Sequence, residues 1–152
     1  MEFCTMFLFA FISNNFASNY DMVAKWRKIP NVIYCENTLV SFQDLQKGIE
    51  YWTNKGYQFG DIQIRKNCTS TPEFGLIKIS PPDETIEEEN YGHTHIKWSH
   101  GTRNFAVVVI SEEGSQIYEV VVHELGHALG IEHSENRRDI MYERHVGTYT
   151  EM

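Results

Sequence analysis

The sequence is poor in cysteine and in positive charge, and both shortages limit what the protein can do. It holds three cysteines and no C-x-x-C pair, so a zinc site built from cysteines is not expected. Thirteen lysines and arginines stand against 21 aspartates and glutamates, which gives a net charge of −8. Because nucleic-acid binding depends on cationic contacts to phosphate, we expect no nucleic-acid partner.

A long apolar run is also missing. The most apolar stretch, residues 1–17, contains five phenylalanines, but it is shorter than a membrane helix and two asparagines interrupt it. We therefore expect no stable membrane insertion. Residues 1–24 can be interpreted as a signal peptide with Ala17 near the cleavage point, although Glu2 stands where lysine or arginine is usual. The alternatives are a segment that packs on the domain or an early translation start, so secretion stays open.

The remaining composition is that of one globular domain. A chain of 152 residues fits a single core, and 41% apolar with 22% charged residues is typical of a soluble protein. Internal repeats and low-complexity segments are missing, which disfavours a scaffold role. We assign residues 25–152 to one domain and expect a monomer.

The most informative stretch begins at His123 and reads H-E-L-G-H-A-L-G-I-E-H. His123 and His127 are one helical turn apart, so both imidazoles leave the same face of a helix and can reach one ion. Gly130 permits the left-handed backbone that ends a helix, and the turn can bring His133 back as a third ligand. Three histidines leave one position for water, which is the arrangement of a catalytic zinc. Glu124 directly follows the first ligand, and we expect its carboxylate beside the metal.

The residues before this motif predict a buried helix that holds the ligands. An apolar stripe at helical spacing runs through the segment, and Ser115 after Gly114 is the predicted N-cap. The stripe consists of Ile117, Val120, Val121, Leu125, Ala128 and Leu129. A rigid helix suits a metal site because ligand positions must be held closely.

Upstream, the sequence predicts a strand, a helix and a second strand. Residues 31–35 suit a strand, and Ser41 suits a helix N-cap with Asp44 three residues later. Apolar residues at helical spacing then predict a helix that ends near Gly56, and residues 60–65 alternate as a strand does. We expect a right-handed βαβ unit with parallel strands.

Three further strands are predicted downstream. Residues 75–79 form a short candidate, and residues 91–98 form another beyond an acidic loop. Residues 105–110 are a continuous apolar run, which is typical of a strand buried on both faces. With the first two strands they predict a sheet of about five strands against two long helices.

The zinc motif and its surroundings resemble the metzincin zinc endopeptidases, and most closely the matrixin branch. Ser134 follows the third histidine, and Met141 comes after a short interval, where the family has a methionine-bearing turn beneath the metal. A tryptophan before the first strand, a helix ending in Trp52 and the D-I-x-I pattern at residues 61–64 are also similar. The resemblance covers residues 25–142.

This resemblance implies an α+β, zincin-like fold, with a twisted, mixed, mostly parallel sheet, one antiparallel edge strand and a short C-terminal subdomain with the methionine turn. The edge strand would be residues 91–98, along which an extended peptide lies. The resemblance also implies a second, structural zinc at His93, His95 and His100, or calcium at residues 81–90. An aspartate ligand for that zinc is not evident, and the acidic run equally suits a solvated face.

The sequence departs from matrixins near its end. Residues 142–144 read Tyr-Glu-Arg where the family usually has a proline that shapes the specificity pocket, and the sequence stops at Met152, before the family's C-terminal helix. We therefore expect a minimal version of the catalytic domain.

Two of the cysteines follow strand ends. Cys35 and Cys68 each lie just past one of the two parallel strands, whose C-terminal ends meet at one edge of the sheet. A disulfide is geometrically possible if the protein is exported, and two free thiols in a reducing compartment are the alternative.

Three functional hypotheses follow. The first is a zinc-dependent endopeptidase acting on a protein or peptide substrate. In it, His123, His127 and His133 hold zinc, which lowers the pKa of a bound water to about 7, and Glu124 is the general base. The alternative is a non-catalytic, zinc-containing peptide-binding module, which has no need of Glu124. A zinc hydrolase of non-peptide amides is the third, and Met141 with the third histidine disfavours it.

Overall fold

Six strands and three helices make up the part of the chain that the computed structural model describes, residues 25–84, 86 and 90–143. The strands are β1 (Lys25–Trp26), β2 (Asn31–Cys35), β3 (Ile62–Arg65), β4 (Leu76–Ser80), β5 (Gly92–Ser99) and β6 (Thr102–Ile110). The helices are α1 (Phe42–Asn54), α2 (Glu112–Ser115) and α3 (Tyr118–Leu129). In these residues, no helix has the length and apolar character to cross a membrane. The N-terminal segment 1–24 lies outside the described residues.

All six strands belong to one mixed, mostly parallel sheet. The strand order is β1-β6-β4-β2-β3, and β5 pairs with β6. Every pairing is parallel except that of β5 with β6, which is antiparallel. Among the described strands β5 has no second neighbour, so it is an edge strand. The predicted parallel sheet with an antiparallel edge strand is thus confirmed, and β1 is an additional strand that the sequence did not indicate.

The unit of β2, α1 and β3 forms where the sequence predicted it. The Ser41 hydroxyl accepts the backbone N–H of Asp44 at 3.1 Å, which satisfies one of the free donors at the start of α1. After the helix, Gly56 has a φ of 95°, which a glycine adopts without steric cost. β2 and β3 then pair in parallel, with Val32 opposite Ile62.

A disulfide joins the two strand ends. Cys35 and Cys68 are bonded, with their Cα atoms 5.6 Å apart. The Asn37 side chain adds two hydrogen bonds to the backbone of Cys68, at 3.0 and 3.2 Å. Of the two cysteine states that the sequence left open, the structure has the bonded one.

The main helices pack on each other and on the sheet. α3 contacts α1, β5 and β6, and the buried Trp52 of α1 donates its indole N–H to the backbone oxygen of Val122 at 2.8 Å. The end of β6 is buried from Ala106 to Ile110, as its continuous apolar run predicted. α3 therefore lies in the core, packed between α1 on one side and the sheet on the other.

The predicted N-cap of α3 at Ser115 is wrong. Ser111 caps the short helix α2, because its hydroxyl accepts the N–H of Gly114 at 3.0 Å. Ser115 ends α2 and donates its hydroxyl to the backbone oxygen of Glu112. α3 begins after Ile117, which offers no side-chain cap. The sequence pattern did not predict α2, and Ser115 is the last residue of this short helix instead of the cap of α3.

The C-terminal subdomain implied by the resemblance stays a prediction, because the described residues end at Glu143.

Candidate metal centre

Three histidines converge at the end of α3. His123 and His127 lie on the helix, and His133 lies on the segment that follows it. The Nε2 atom of His133 is 3.3 Å from that of His123 and 3.1 Å from that of His127. The structure therefore brings together all three predicted metal ligands.

A left-handed turn at the helix C-terminus places the third histidine. Gly130 has a φ of 107°, and its N–H bonds to the oxygen of His127. The N–H of Ile131 then bonds to the oxygen of Gly126 at 3.0 Å. These bonds satisfy free carbonyls at the end of α3 and direct the following segment back along the last turn of this helix. The predicted role of Gly130 is confirmed.

The outer nitrogens of the two helical histidines are already bonded to backbone. Nδ1 of His123 lies 2.7 Å from the oxygen of Ile140, and Nδ1 of His127 lies 2.9 Å from the oxygen of Ile131. A carbonyl can only accept, so each Nδ1 carries the proton and each Nε2 presents a lone pair. Burial lowers the pKa of His127 to about 3, which keeps its ring neutral. Neutral imidazoles fixed in this way by outer hydrogen bonds fit a zinc ion.

Glu124 directly follows His123 on α3 and is almost completely buried, with 6% of its surface exposed. Burial raises the pKa of its carboxyl to about 7, while a hydrogen bond from Thr94 opposes this shift. The Thr94 hydroxyl contacts both the side-chain Oε2 of Glu124 and, at 3.1 Å, its backbone oxygen. A threonine on β5 is therefore the side chain that holds this carboxylate.

Thr94 was not predicted from the sequence, although the pattern of its strand contains a signal. Side chains two apart on a strand share a face. A Cβ at Gly92 would lie 2.8 Å from Cγ of Glu124, so Gly92 and Thr94 both face α3. Assigning Thr94 from sequence requires knowing that β5 packs under this turn of α3.

Met141 packs against Gly126, the glycine of α3 that lies between the two helical histidines in the sequence. Its side chain is fully buried, and a Cβ added at Gly126 would collide with its sulfur and with the Trp52 ring. The glycine inside the motif is therefore required by close packing. The Asp139 carboxylate accepts a hydrogen bond from the N–H of Met141 at 2.8 Å. The backbone oxygen of the preceding residue, Ile140, accepts the hydrogen bond from Nδ1 of His123.

Two further residues hold the last turn of α3, a role that the sequence did not predict for either. Trp26 donates its indole N–H to the oxygen of Ala128 at 2.9 Å, and Arg103 donates to the oxygen of His127 at 3.1 Å. Cations are favourable at helix C-termini because the carbonyls there are partly negative. Both residues come from distant parts of the chain, so no local pattern marks them.

The other metal sites stay predictions. Within the described residues, His123, His127 and His133 form the one group of three or more potential ligands with closely spaced ligand atoms. His93 and His95 lie with ring centroids 4.4 Å apart, without His100 in a shared cluster. The acidic loop proposed for calcium lies partly outside the described residues.

Comparison with known families agrees with this geometry. The family model for matrixins, peptidase family M10, matches residues 40–151, which include the three histidines and Glu124. A comparison with curated proteins finds no match. The matched range covers most of the sequence, and the chain belongs to the matrixin family of metzincins.

Proposed function

We propose that this protein is a zinc-dependent endopeptidase in which His123, His127 and His133 hold zinc and Glu124 is the general base. Membership in the matrixins suggests a metalloendopeptidase with a protein or peptide substrate. One observation carries the proposal for this chain. Three imidazoles converge with two Nδ1 atoms bonded to carbonyls, and the residue after the first of them is a buried glutamate. A bound zinc ion supplies Lewis acidity, polarising a carbonyl and acidifying water.

Glu124 moves the proton in this mechanism. It takes a proton from the attacking water as the new C–O bond forms. It then delivers that proton to the leaving amine as the C–N bond breaks. The Thr94 hydroxyl donates a hydrogen bond to Oε2 of Glu124, so we assign the proton transfer to the other carboxylate oxygen, Oε1. Holding one oxygen keeps the base in a single orientation, which favours the reacting geometry.

Strand β5 is the proposed binding surface for substrate. It pairs with β6 on one side only among the described strands, so its other edge offers backbone donors and acceptors. Thr94 connects this strand directly to Glu124. An extended peptide paired along β5 would therefore lie beside the base and be recognised largely through its main chain.

Metal content and proteolysis, measured together, test the proposal. Wild type and Glu124→Ala are expected to contain zinc, but only wild type should cleave unfolded casein or gelatin. Loss of the base should reduce the rate by roughly 10²-fold or more. A chelator should abolish cleavage, and added zinc should restore it. Glu119→Ala, which removes an exposed carboxylate from the same helix, is the matched control and should cleave like wild type.

The other outcomes are equally informative. Normal cleavage by Glu124→Ala contradicts the assigned base. Zinc in both proteins without cleavage in either favours the peptide-binding module. A wild type that binds no zinc contradicts the assignment of the three histidines.

A further inference from the structure

A second concave surface lies away from the metal centre. A cleft of about 850 Å³ opens across the start of β6, next to the turn that joins β5 to β6. We call it the distal cleft, and its lining includes Arg27, Lys28, Ile29, Phe74, His100 and Arg103. Neither the three clustered histidines nor Glu124 contribute to its lining.

The distal cleft is positively charged in a negatively charged protein. The ionisable side chains that the described residues contribute to it are Arg27, Lys28, His100 and Arg103, with no aspartate or glutamate. Arg27 and Lys28 are exposed. The chain as a whole carries a net charge of −8, so this cleft differs in sign from the rest of the molecule.

Arg103 adds a buried positive charge beneath the cleft. Only 2% of its surface is exposed, and its Nε and Nη2 atoms have no hydrogen-bond partner among the residues that the structure describes. Burial lowers the pKa of this guanidinium to about 10, so it remains charged at neutral pH. The carbonyl of His127 compensates part of this charge, and the described residues supply no carboxylate within ion-pair distance. A positive field in the cleft attracts anions.

Apolar side chains border the same surface. Phe74 is 82% exposed and Ile29 is 54% exposed, and both border the cleft. An acidic residue with an apolar neighbour therefore matches the cleft better than an isolated anion does.

The distal cleft also lies at the end of the strand assigned to substrate. Ser99, which borders the cleft, ends β5, and Thr94 on the same strand contacts Glu124. Five residues of an extended strand span about 17 Å at the usual rise per residue. A peptide paired along the free edge of β5 would pass Ser99 about five residues from the bond that is cleaved. There it would bend around the β5–β6 turn at His100 to enter the cleft, whose remaining side chains lie on the opposite side of β6.

We propose that the distal cleft binds a segment of the peptide substrate in which acidic side chains flank an apolar one, about five residues from the scissile bond. This proposal rests on the proposed peptidase function and adds a substrate preference to it. Arg27 and Lys28 make the direct contacts, and Arg103 contributes to the field.

Matched peptides test this preference. Peptides share one sequence around the scissile bond and carry Glu-Leu-Glu, Gln-Leu-Gln or Lys-Leu-Lys five residues away, on either side. When the tripeptide lies on the side of the scissile bond that faces the cleft, the Glu peptide is expected to show a roughly three- to tenfold lower KM than the Gln peptide, with unchanged kcat. This difference in KM should be smaller at high salt. The Lys peptide should show the highest KM.

Charge variants locate the effect. Arg27→Gln with Lys28→Gln should remove the preference for the Glu peptide. Lys47→Gln with Lys66→Gln changes the net charge equally at exposed positions outside the cleft, and it should keep the preference. The proposal is overturned if the Glu and Gln peptides have equal KM values whichever side of the scissile bond carries the tripeptide, or if the control variant loses the preference. Either result leaves the peptidase proposal intact.

Failure of the proposed function is distinguishable from failure of the cleft. If wild type cleaves none of the peptides, the peptidase proposal is wrong, and binding of fluorescently labelled peptides then tests the cleft alone. Tighter binding of the Glu peptide that is lost in Arg27→Gln with Lys28→Gln supports the cleft. Equal affinity for the Glu and Gln peptides overturns it.

Discussion

Hydrogen bonds of individual side chains decide the chemistry of the metal centre. The carbonyls of Ile140 and Ile131 set the tautomers of His123 and His127, so two lone pairs face the place where a cation fits. The carbonyl of Ile131 belongs to the turn that brings in the third histidine, so this turn also orients His127. His123 is oriented by the later segment that carries Met141.

The hydroxyl of Thr94 is expected to matter for turnover more than for substrate binding. Thr94→Val keeps the shape of the side chain and removes its hydrogen bond to Glu124, so we expect kcat to fall roughly tenfold while KM and zinc content stay near wild type. Thr94→Ser retains a hydroxyl and should recover most of the activity. Steady-state kinetics on one peptide, with metal analysis of each variant, provide the measurement.

A purely structural role for Thr94 would give a different result. In that case both variants would lose activity in proportion to lost stability, and serine would not rescue turnover. Unchanged kcat in Thr94→Val would show that Glu124 needs no such support.

At the scale of elements, the segment between β3 and β4 is held by one carboxylate. The Glu73 carboxylate forms an ion pair with Arg65, at the end of β3, at 2.8 Å and another with Lys78, on β4, at 2.7 Å. Lys78 is only 3% exposed and also donates to the backbone oxygens of Thr69 and Thr71. Removing Glu73 would leave a buried ammonium without its counter-charge, which is costly.

The stability contributed by Glu73 should depend on pH. The hydrogen bonds from Arg65 and Lys78 hold the pKa of Glu73 below its ordinary value. A depressed pKa in the folded state contributes stability above the unfolded pKa, and that stability is lost as pH falls through the folded value. We therefore expect Glu73→Gln to lower the free energy of unfolding by about 1–3 kcal/mol at pH 7, because charge-assisted bonds to a buried lysine are lost. The difference from wild type should shrink below about pH 4.

Urea unfolding of both proteins across pH 3–7 measures this difference. Glu50→Gln, at an exposed position on α1, serves as the control and should change stability little. A difference between wild type and Glu73→Gln that stays constant with pH would contradict the assigned ion pair.

At the scale of the molecule, the disulfide closes a long loop that contains α1 and β3. Its cysteines are 33 residues apart in sequence. In the chain-entropy account, closing such a loop restricts the unfolded chain, so we expect Cys35→Ala with Cys68→Ala to lower the free energy of unfolding by about 2–4 kcal/mol. Denaturant unfolding with and without a reductant provides the test.

The reductant distinguishes the stability contributed by the covalent bond from the stability contributed by the packing of the two cysteine side chains. Reduced wild type should approach the stability of the double variant, whereas the variant should not respond to reductant. If reductant leaves the stability of wild type unchanged, the bond does not contribute as proposed.

What the sequence determined by itself is local. The spacing of His123, His127 and His133 and the glycine between them predicted the cluster, because helix periodicity and the left-handed turn depend on a few neighbouring residues. Ser41 and the alternating or continuous apolar runs predicted α1 and the strands for the same reason.

Only the tertiary structure decided which distant groups meet. Thr94 reaches Glu124 across 30 residues, and Trp26 reaches the end of α3 across 102, because strand order and helix packing bring them together. The choice between a disulfide and free thiols, and the start of α3 after Ile117 instead of after Ser115, also depended on where the chain runs after each strand. Spacing along the sequence specifies a neighbour on one element, whereas packing between elements specifies the neighbours that support the metal centre.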